Sequence, residues 1–293
     1  MRAETLSGVG ASRVRLPDGC WPSLLDFLDQ RFADVGREVW AARLQQGRVS
    51  DADGVALAID APFVAGQLVC YYRELAVEAP IPFEATTLYR DEHLLVVDKP
   101  HFLPTMPAGR YVQQSLLVRL KRETGLADLV PLHRLDRATA GLVMFSINPQ
   151  TRAAYSELFA SRRIAKTYEA LAPALRAGDF PLTRRSRIEA GEPFFLMRET
   201  GGVANAETTV TLLETRGDIA LYRLQPLSGR KHQLRVHMAA LGAAILNDRW
   251  YPRLLSDADD DYTQPLKLLA RSLLFDDPLT GEPRRFDSQR SLW

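Results

Sequence analysis

The chain has 293 residues, 46% of them hydrophobic and 25% charged, which is the composition of an ordinary globular protein. Its 37 Lys and Arg residues almost balance its 36 Asp and Glu residues, so overall charge does not identify a nucleic-acid binder. The absence of a long apolar run or a signal-peptide core, together with only two cysteines, predicts a cytoplasmic protein without membrane attachment or a disulfide framework.

The first part of the chain predicts a leader over residues 1–18 and a small α+β domain over residues 19–73. Ser23 is a suitable N-cap, and apolar residues at helical spacing follow it. Two helices are expected between residues 23 and 46, ended by Gly47. Short strands are expected at residues 48–50, 55–59 and 66–72.

A Pro-containing stretch at residues 74–85 predicts a linker to a larger domain over residues 86–293. The larger domain should contain a hairpin, three helices and several further strands. The hairpin is expected over 88–97. The helices are expected over 112–124, 149–161 (with Asn148 as cap) and 230–241. The strands are expected over 141–147, 166–172, 206–214 and 219–224, and mixed apolar structure is expected over 267–275. Because strands outnumber helices without alternating strictly with them, we predict an α+β fold with a largely antiparallel mixed sheet flanked by helices.

Charge is unevenly distributed along this domain. Residues 133–187 carry ten Lys or Arg but only four Asp or Glu, whereas acidic residues collect at 257–261. A local basic region suits phosphate contacts on one face, although solvated surface arginines would give the same count.

The segment 133–141, with sequence HRLDRATAG, places Asp136 between Arg134 and Arg137 and before an apolar strand. A carboxylate with arginines nearby stays ionised, which suits a nucleophile or a base. A surface ion pair is the alternative interpretation.

Two further segments carry candidate site residues. Arg230, Lys231 and Arg235 lie at or beside a predicted helix N-terminus, which favours a phosphate or the Asp136 carboxylate. Tyr168 alternates with its strand neighbours, so it is expected to point into a pocket, with core packing as the alternative.

His232 and His237 are five residues apart, whereas pairs four apart share a helix face. No metal site is predicted from them. Structural hydrogen bonding is the expected role of both histidines.

Taken together, these segments resemble the RluA-type RNA pseudouridine synthases over about residues 88–251. The motifs are DKP at 98–100, HRLDRATAG at 133–141, KTYEAL at 166–171, GRKHQLRVHMAALG at 229–242 and LNDRWY at 246–251. Departures from the family pattern fall at Phe102, Met106, Ala140 and Asn247, and they bear on substrate choice. Residues 20–72 resemble, more weakly, an alpha-L RNA-binding domain.

The resemblance implies the pseudouridine synthase fold and an enzyme that isomerises uridines of rRNA or tRNA without metal or organic cofactor. It implies that Asp136 is the catalytic carboxylate, that Tyr168 lies against the base and that Arg235 pairs with Asp136. Contacts to RNA are assigned to Arg134, Arg137, Lys99, Arg230, Lys231 and Lys166. A monomer is expected.

In such a reaction uracil leaves the ribose, rotates and rejoins through carbon 5. Asp136 would either attack the anomeric carbon or remove the proton from the neighbouring carbon, and the sequence does not separate these routes. The main alternative is a non-catalytic RNA-binding or ribosome-assembly protein that keeps the fold. A glycoside hydrolase would need a second carboxylate, which the matched segments do not supply.

Overall fold

The structure, a computed structural model, describes residues 9–72, 78–175, 180–255 and 260–293. Residues 1–8 of the predicted leader, 74–77 of the predicted linker and 257–259 of the acidic run lie outside the described residues. The N-terminal part contains β1 (Ser12–Arg15), α1 (Leu24–Arg31), α2 (Arg37–Gln45), β2 (Val49–Ser50) and β3 (Leu68–Tyr71). The three strands form one sheet in the order β1-β3-β2.

Sequence signals and structure agree closely at α1. The Ser23 side chain accepts a hydrogen bond from the Asp26 backbone N–H at 3.1 Å, as expected of an N-cap. Two sequence predictions in this region are wrong. Strand β1 occupies part of the predicted leader because it pairs antiparallel with β3, and the predicted strand 55–59 is reduced to one bridge between Ala56 and Ser50.

The described residues after β3 form an 11-stranded sheet with three helices. Its elements are β4 (Thr86–Arg90), β5 (Leu94–Lys99), α3 (Leu116–Thr124), β6 (Val130–Pro131), β7 (Ala140–Ser146), α4 (Arg152–Ala160), β8 (Ala165–Pro173), β9 (Leu182–Ala190), β10 (Met197–Thr200), β11 (Ala206–Arg216), β12 (Ile219–Pro226), α5 (Gln233–Ala240), β13 (Leu268–Asp276) and β14 (Pro283–Asp287). The main path runs β10-β9-β11-β12-β8-β13-β7-β5-β4, with β14 beside β13 and β6 beside β7. All pairings are antiparallel except that of β13 with β7. The predicted α+β fold with a largely antiparallel mixed sheet is confirmed, although β9 and β10 were not predicted.

Three helices begin later than their sequence patterns indicated, and α3 begins at Leu116 instead of at residue 112. Helix α4 begins at Arg152, because the Asn148 side chain accepts a hydrogen bond from the Gln150 backbone N–H at 2.9 Å and closes a turn instead of capping the helix. Helix α5 begins at Gln233, because His232 has a left-handed backbone with φ 55°. Arg230 and Lys231 therefore lie in the turn that precedes the helix.

The core of the large sheet consists of several packed clusters. One lies under β5 and β7 and includes Leu95, Val97 and Val143, and another joins β8 and β12 to α5. Tyr168 packs against both clusters, so it marks the junction between them. Among the helices of the described ranges, none is long and apolar enough to cross a membrane.

Gly141 is required where β7 meets β13. Its φ is +109°, and a Cβ placed there would lie 2.3 Å from the carbonyl oxygen and 2.7 Å from the nitrogen of Ala270. Because both contacts are to backbone, no side-chain movement can relieve them. The close approach of these parallel strands fixes the end of the loop that carries Asp136.

We expect Gly141→Ala to lower the free energy of unfolding by about 3 kcal/mol, since it adds a backbone clash to a left-handed strain. Gly242→Ala is the matched control, because its φ is +80° but a Cβ there meets nothing within 4 Å. Gly242→Ala should lower the free energy of unfolding by about 1 kcal/mol. Urea unfolding measures both variants, and equal losses would contradict the contact with Ala270.

Candidate active site

A cavity of about 380 Å³ opens where the two core clusters meet. Three segments line it: the loop 134–139, the start of β8 and the turn that leads into α5. The lining side chains include Arg134, Asp136, Lys166, Tyr168, Arg230, Lys231, His232 and Arg235. The volume is in the range of small-molecule sites. The fold thus brings together every residue that the sequence assigned to catalysis.

Two buried side chains hold the backbone on either side of Asp136. Thr105 donates its hydroxyl to the Leu135 carbonyl at 2.9 Å and accepts the Leu135 N–H at 3.1 Å. Lys99 donates its ammonium to the carbonyls of Pro100, Leu103 and Arg137 at 2.9, 2.8 and 3.3 Å. The segment that follows β5 therefore fixes the position of the loop 134–139.

The assignment of Lys99 to RNA binding is wrong. Its side chain is fully buried, and three carbonyl oxygens use its three donors. Burial lowers the pKa of Lys99 well below its ordinary value, while the Asp136 carboxylate opposes that shift. The DKP motif carries a structural lysine, which the sequence alone does not distinguish from a surface one.

The Asp136 carboxylate points one oxygen at two basic side chains. Oδ2 lies 3.5 Å from Arg235 Nη1 and 3.8 Å from His232 Nε2. The side chain is 25% exposed, and neither carboxylate oxygen accepts a hydrogen bond from the described residues. The carboxylate is therefore available to a ligand in the cavity.

The principal partner of Arg235 is Asp248, to which the sequence gave no role. Arg235 Nε and Nη2 donate to the two Asp248 carboxylate oxygens at 2.7 Å each, in a fully buried pair. Burial opposes the charge of Arg235, but the hydrogen bonds to Asp248 outweigh it and raise the pKa of Arg235 above its ordinary value. The signal was present, because Asp248 lies inside the LNDRWY motif and a buried arginine needs a carboxylate.

The Arg235 guanidinium is also packed between aromatic rings. Its central carbon lies 4.9 Å from the Trp250 ring centroid and 5.1 Å from that of Tyr251. The Asp248 carboxylate accepts the backbone N–H groups of both aromatic residues. The segment 248–251 is therefore a single support that orients Arg235 toward Asp136.

Tyr168 lies on β8 and faces the cavity, as the strand alternation predicted. Burial, and after it the negative charge of Asp136, raises the pKa of the Tyr168 phenol. The phenol therefore stays protonated at neutral pH. That state suits a ring that stacks on a base or donates a hydrogen bond, and it disfavours a phenolate base.

Four basic residues surround the mouth of the cavity. Arg134, Arg230 and Lys231 are exposed, and Lys166 is half-buried. The Arg230 backbone N–H donates to the Gln233 side-chain oxygen at 3.1 Å, which ties the turn to the start of α5. This arrangement is a candidate phosphate-binding rim.

Arg137 does not line the cavity, and its assignment to RNA binding stays a prediction. Its guanidinium makes two hydrogen bonds to Asp260, at 2.7 and 2.6 Å, and lies over the Tyr111 ring. Arg110 and the Tyr111 hydroxyl also contact Asp260. The acidic run, which the sequence showed as a separate feature, thus supplies the partner of a motif arginine.

His237 has the structural role that was predicted for it. Its Nδ1 lies 2.9 Å from the Thr208 hydroxyl and its Nε2 lies 3.0 Å from the Ser186 hydroxyl. In the ranges that the structure describes, no group of three or more His, Cys, Asp or Glu residues could hold a metal ion.

Acid should destabilise the protein through its buried histidines. Burial lowers the pKa of His232 and of His237 from the ordinary 6.5 to about 4. The unfolded state therefore binds protons first as pH falls, so the stabilisation is complete above pH 6.5 and is lost toward pH 4. Relative to pH 7, we expect each of these two histidines to lower the free energy of unfolding at pH 5 by about 2 kcal/mol.

Urea unfolding at pH 7, 6 and 5 measures this loss. Burial also lowers the pKa of His101 to about 4 and that of His133 to about 3, so four histidines contribute to this slope. The His237→Asn variant should therefore lose about a quarter of the histidine-dependent slope. A stability that is constant from pH 7 to pH 5 would contradict neutral buried histidines.

Comparison with known proteins gives consistent results. The family model for RNA pseudouridylate synthases matches residues 93–240. An uncharacterized RNA pseudouridine synthase of Synechocystis is 30% identical over 78% of this chain and 79% of its own. The dual-specificity RNA pseudouridine synthase RluA of Salmonella typhimurium is 36% identical over 68% of this chain and 90% of its own. In fold, human RNA pseudouridylate synthase domain containing 1 covers 73% of this chain and 86% of its own with a TM-score of 0.59 and 23% identity.

Proposed function

Because the chain belongs to the RluA-type RNA pseudouridine synthases, an isomerase family, we propose that its active site is the cavity at Asp136 and that its substrates are uridines of rRNA or tRNA. The observation that carries the assignment of the site is the Asp136 carboxylate, which lines a cavity with Tyr168 and Arg235 and accepts no hydrogen bond from the described residues. The non-catalytic alternative is not favoured, because a binding protein has no need of a partly buried carboxylate that lines a cavity without accepting a hydrogen bond.

The cavity accepts one nucleotide that has left its helix or loop. Unstacking a base costs a few kcal/mol, and phosphate contacts at the rim help to offset it. Tyr168 then lies along the base as a neutral phenol. Arg134, which is exposed at the mouth, is placed to fill the space that the base leaves.

Asp136 acts on the sugar through its carboxylate. The same group serves attack on the anomeric carbon or removal of the proton from the neighbouring carbon. Arg235 holds Oδ2 at 3.5 Å but gives its two shortest hydrogen bonds to Asp248. The positive charge of Arg235 is thus largely balanced by Asp248, and Asp136 keeps the negative charge that either route requires.

The direct test is an assay of the purified protein on total RNA, with pseudouridine mapping of RNA from cells with and without the gene. New pseudouridines in rRNA or tRNA that depend on the protein would support the proposal. We place the enzyme in the cytoplasm with these RNAs and propose that it acts as a monomer. Product confined to other RNA classes would contradict the substrate assignment.

We expect Lys231→Ala to weaken RNA binding several-fold and to lower the slope of log affinity against log salt by about 1, because one phosphate contact is lost. Arg122→Ala, which removes an exposed charge from α3 outside the cavity lining, is the matched control. Affinity measured from 50 to 200 mM salt separates the two. Equal slopes for both variants would show that Lys231 does not contact a phosphate.

A further inference from the structure

His232 has contacts that the assigned chemistry does not explain. Its backbone is left-handed, with φ 55° and ψ 14°, and its side chain is buried. Residues other than glycine adopt this backbone at a cost, and such strain persists where the surroundings fix it. The Trp250 ring lies 5.1 Å from the imidazole, so the ring orientation is fixed as well.

The Tyr251 hydroxyl determines which imidazole nitrogen carries the proton. Among the described residues its oxygen has two hydrogen-bond partners, the Met197 backbone N–H at 2.8 Å and His232 Nδ1 at 2.8 Å. Met197 can only donate. The phenol hydrogen therefore needs Nδ1 as its acceptor, which leaves the histidine proton on Nε2.

The protonated nitrogen faces the catalytic carboxylate. His232 Nε2 lies 3.8 Å from Asp136 Oδ2, the same oxygen that Arg235 Nη1 approaches at 3.5 Å. The two side chains approach one oxygen from two directions. A small rotation of Asp136 on substrate binding would bring the N–H into hydrogen-bond range, and the other oxygen would remain for the substrate.

We propose that His232 is a positioning residue that, as a neutral Nε2–H donor set by Tyr251, orients Asp136. This role deepens the proposed function and rests on Asp136 as the catalytic carboxylate. A neutral donor orients the carboxylate without adding a second positive charge, so it does not quench the reactivity of Asp136 as an imidazolium would. Burial lowers the pKa of His232 to about 4, which agrees with a neutral ring at pH 7.

The charged groups around His232 shift the pKa of its ring in opposite directions. Asp136 and Asp248 favour the imidazolium, whereas Arg235 and Lys231 disfavour it. Tyr251 stays a neutral phenol, because burial raises its pKa to about 12. Since no group of this set other than His232 ordinarily titrates near pH 6.5, the single-turnover rate should show no step there.

The first measurement is the tautomer itself, by ¹⁵N NMR of the histidine-labelled full chain at pH 7. The chain has five histidines, and loss of one signal in His232→Asn assigns the resonance. We expect a proton on Nε2 and none on Nδ1. A cationic ring, or a proton on Nδ1, would overturn the proposal without any assay of activity.

The second measurement is single-turnover kinetics with RNA. In His232→Asn, asparagine tolerates the left-handed backbone and can keep the contact with Tyr251, but it loses the donor to Asp136. We expect about a tenfold lower rate with unchanged RNA affinity. Tyr251→Phe should lower the rate less and should let a proton appear on Nδ1, while His93→Asn should match the wild type.

A rate within twofold of the wild type for folded His232→Asn would refute the role of the donor. If that variant does not fold, the tautomer of the wild type and its change in Tyr251→Phe decide the question. Failure of the underlying function is distinguishable, because it would appear as activity in a variant that lacks the Asp136 carboxylate.

Discussion

Asp136→Asn is expected to abolish pseudouridine formation while RNA binding is retained. The amide keeps the size of the side chain but has no negative charge, so it can neither attack the sugar nor remove its proton. The backbone on both sides is held by Thr105 and Lys99, so the loop should keep its shape. A fall of at least about 10³-fold in the single-turnover rate follows from the loss of a group that acts directly on the substrate.

The control for this prediction is Asp276→Asn, which removes an exposed carboxylate from the end of β13. It should leave both the rate and the affinity unchanged. Affinity for RNA measured by filter binding shows whether Asp136→Asn still binds its substrate. Conversion of uridine by pure Asp136→Asn protein would show that the catalytic assignment is wrong.

Local signals in the sequence predicted the elements that depend on nearby residues. Ser23 caps α1, Gly125 ends α3 with a left-handed backbone, and the strands of the β4–β5 hairpin pair as expected. Strands β9 and β10 were missed because charged residues interrupt the apolar alternation of β9, whose partners in β10 and β11 are set by tertiary pairing.

The candidate site likewise contains residues that local motifs predicted and residues whose contacts depend on distant segments. Ordered motifs predicted that Asp136, Tyr168 and Arg235 would line one cavity, and the structure brings them together. The sequence could not show whether a given lysine faces solvent or carbonyl oxygens, which is why Lys99 was assigned to RNA contact. Burial and partner choice depend on segments far apart in the chain, as the pairing of Arg137 with Asp260 illustrates.

Asp248 should be the most sensitive residue that does not touch the substrate. In Asp248→Asn the buried Arg235 loses the carboxylate to which it donates twice. Its charge is then balanced by Asp136 alone, so the Arg235–Asp136 contact should shorten and draw the carboxylate away from the sugar. We expect about a 100-fold lower single-turnover rate and a loss of about 3 kcal/mol in unfolding free energy.

An exposed pair with the same two-point geometry is the matched control. Arg285 donates to both Asp287 oxygens at 2.7 and 2.9 Å on the protein surface, and Asp287→Asn should cost less than about 0.5 kcal/mol. The double variant Arg235→Gln with Asp248→Asn removes both buried charges, so it should recover part of the stability but none of the rate. If stability and rate recover together, Asp248 acts only on folding. If only stability recovers, the balance of charge between Asp248 and Asp136 through Arg235 is what catalysis requires.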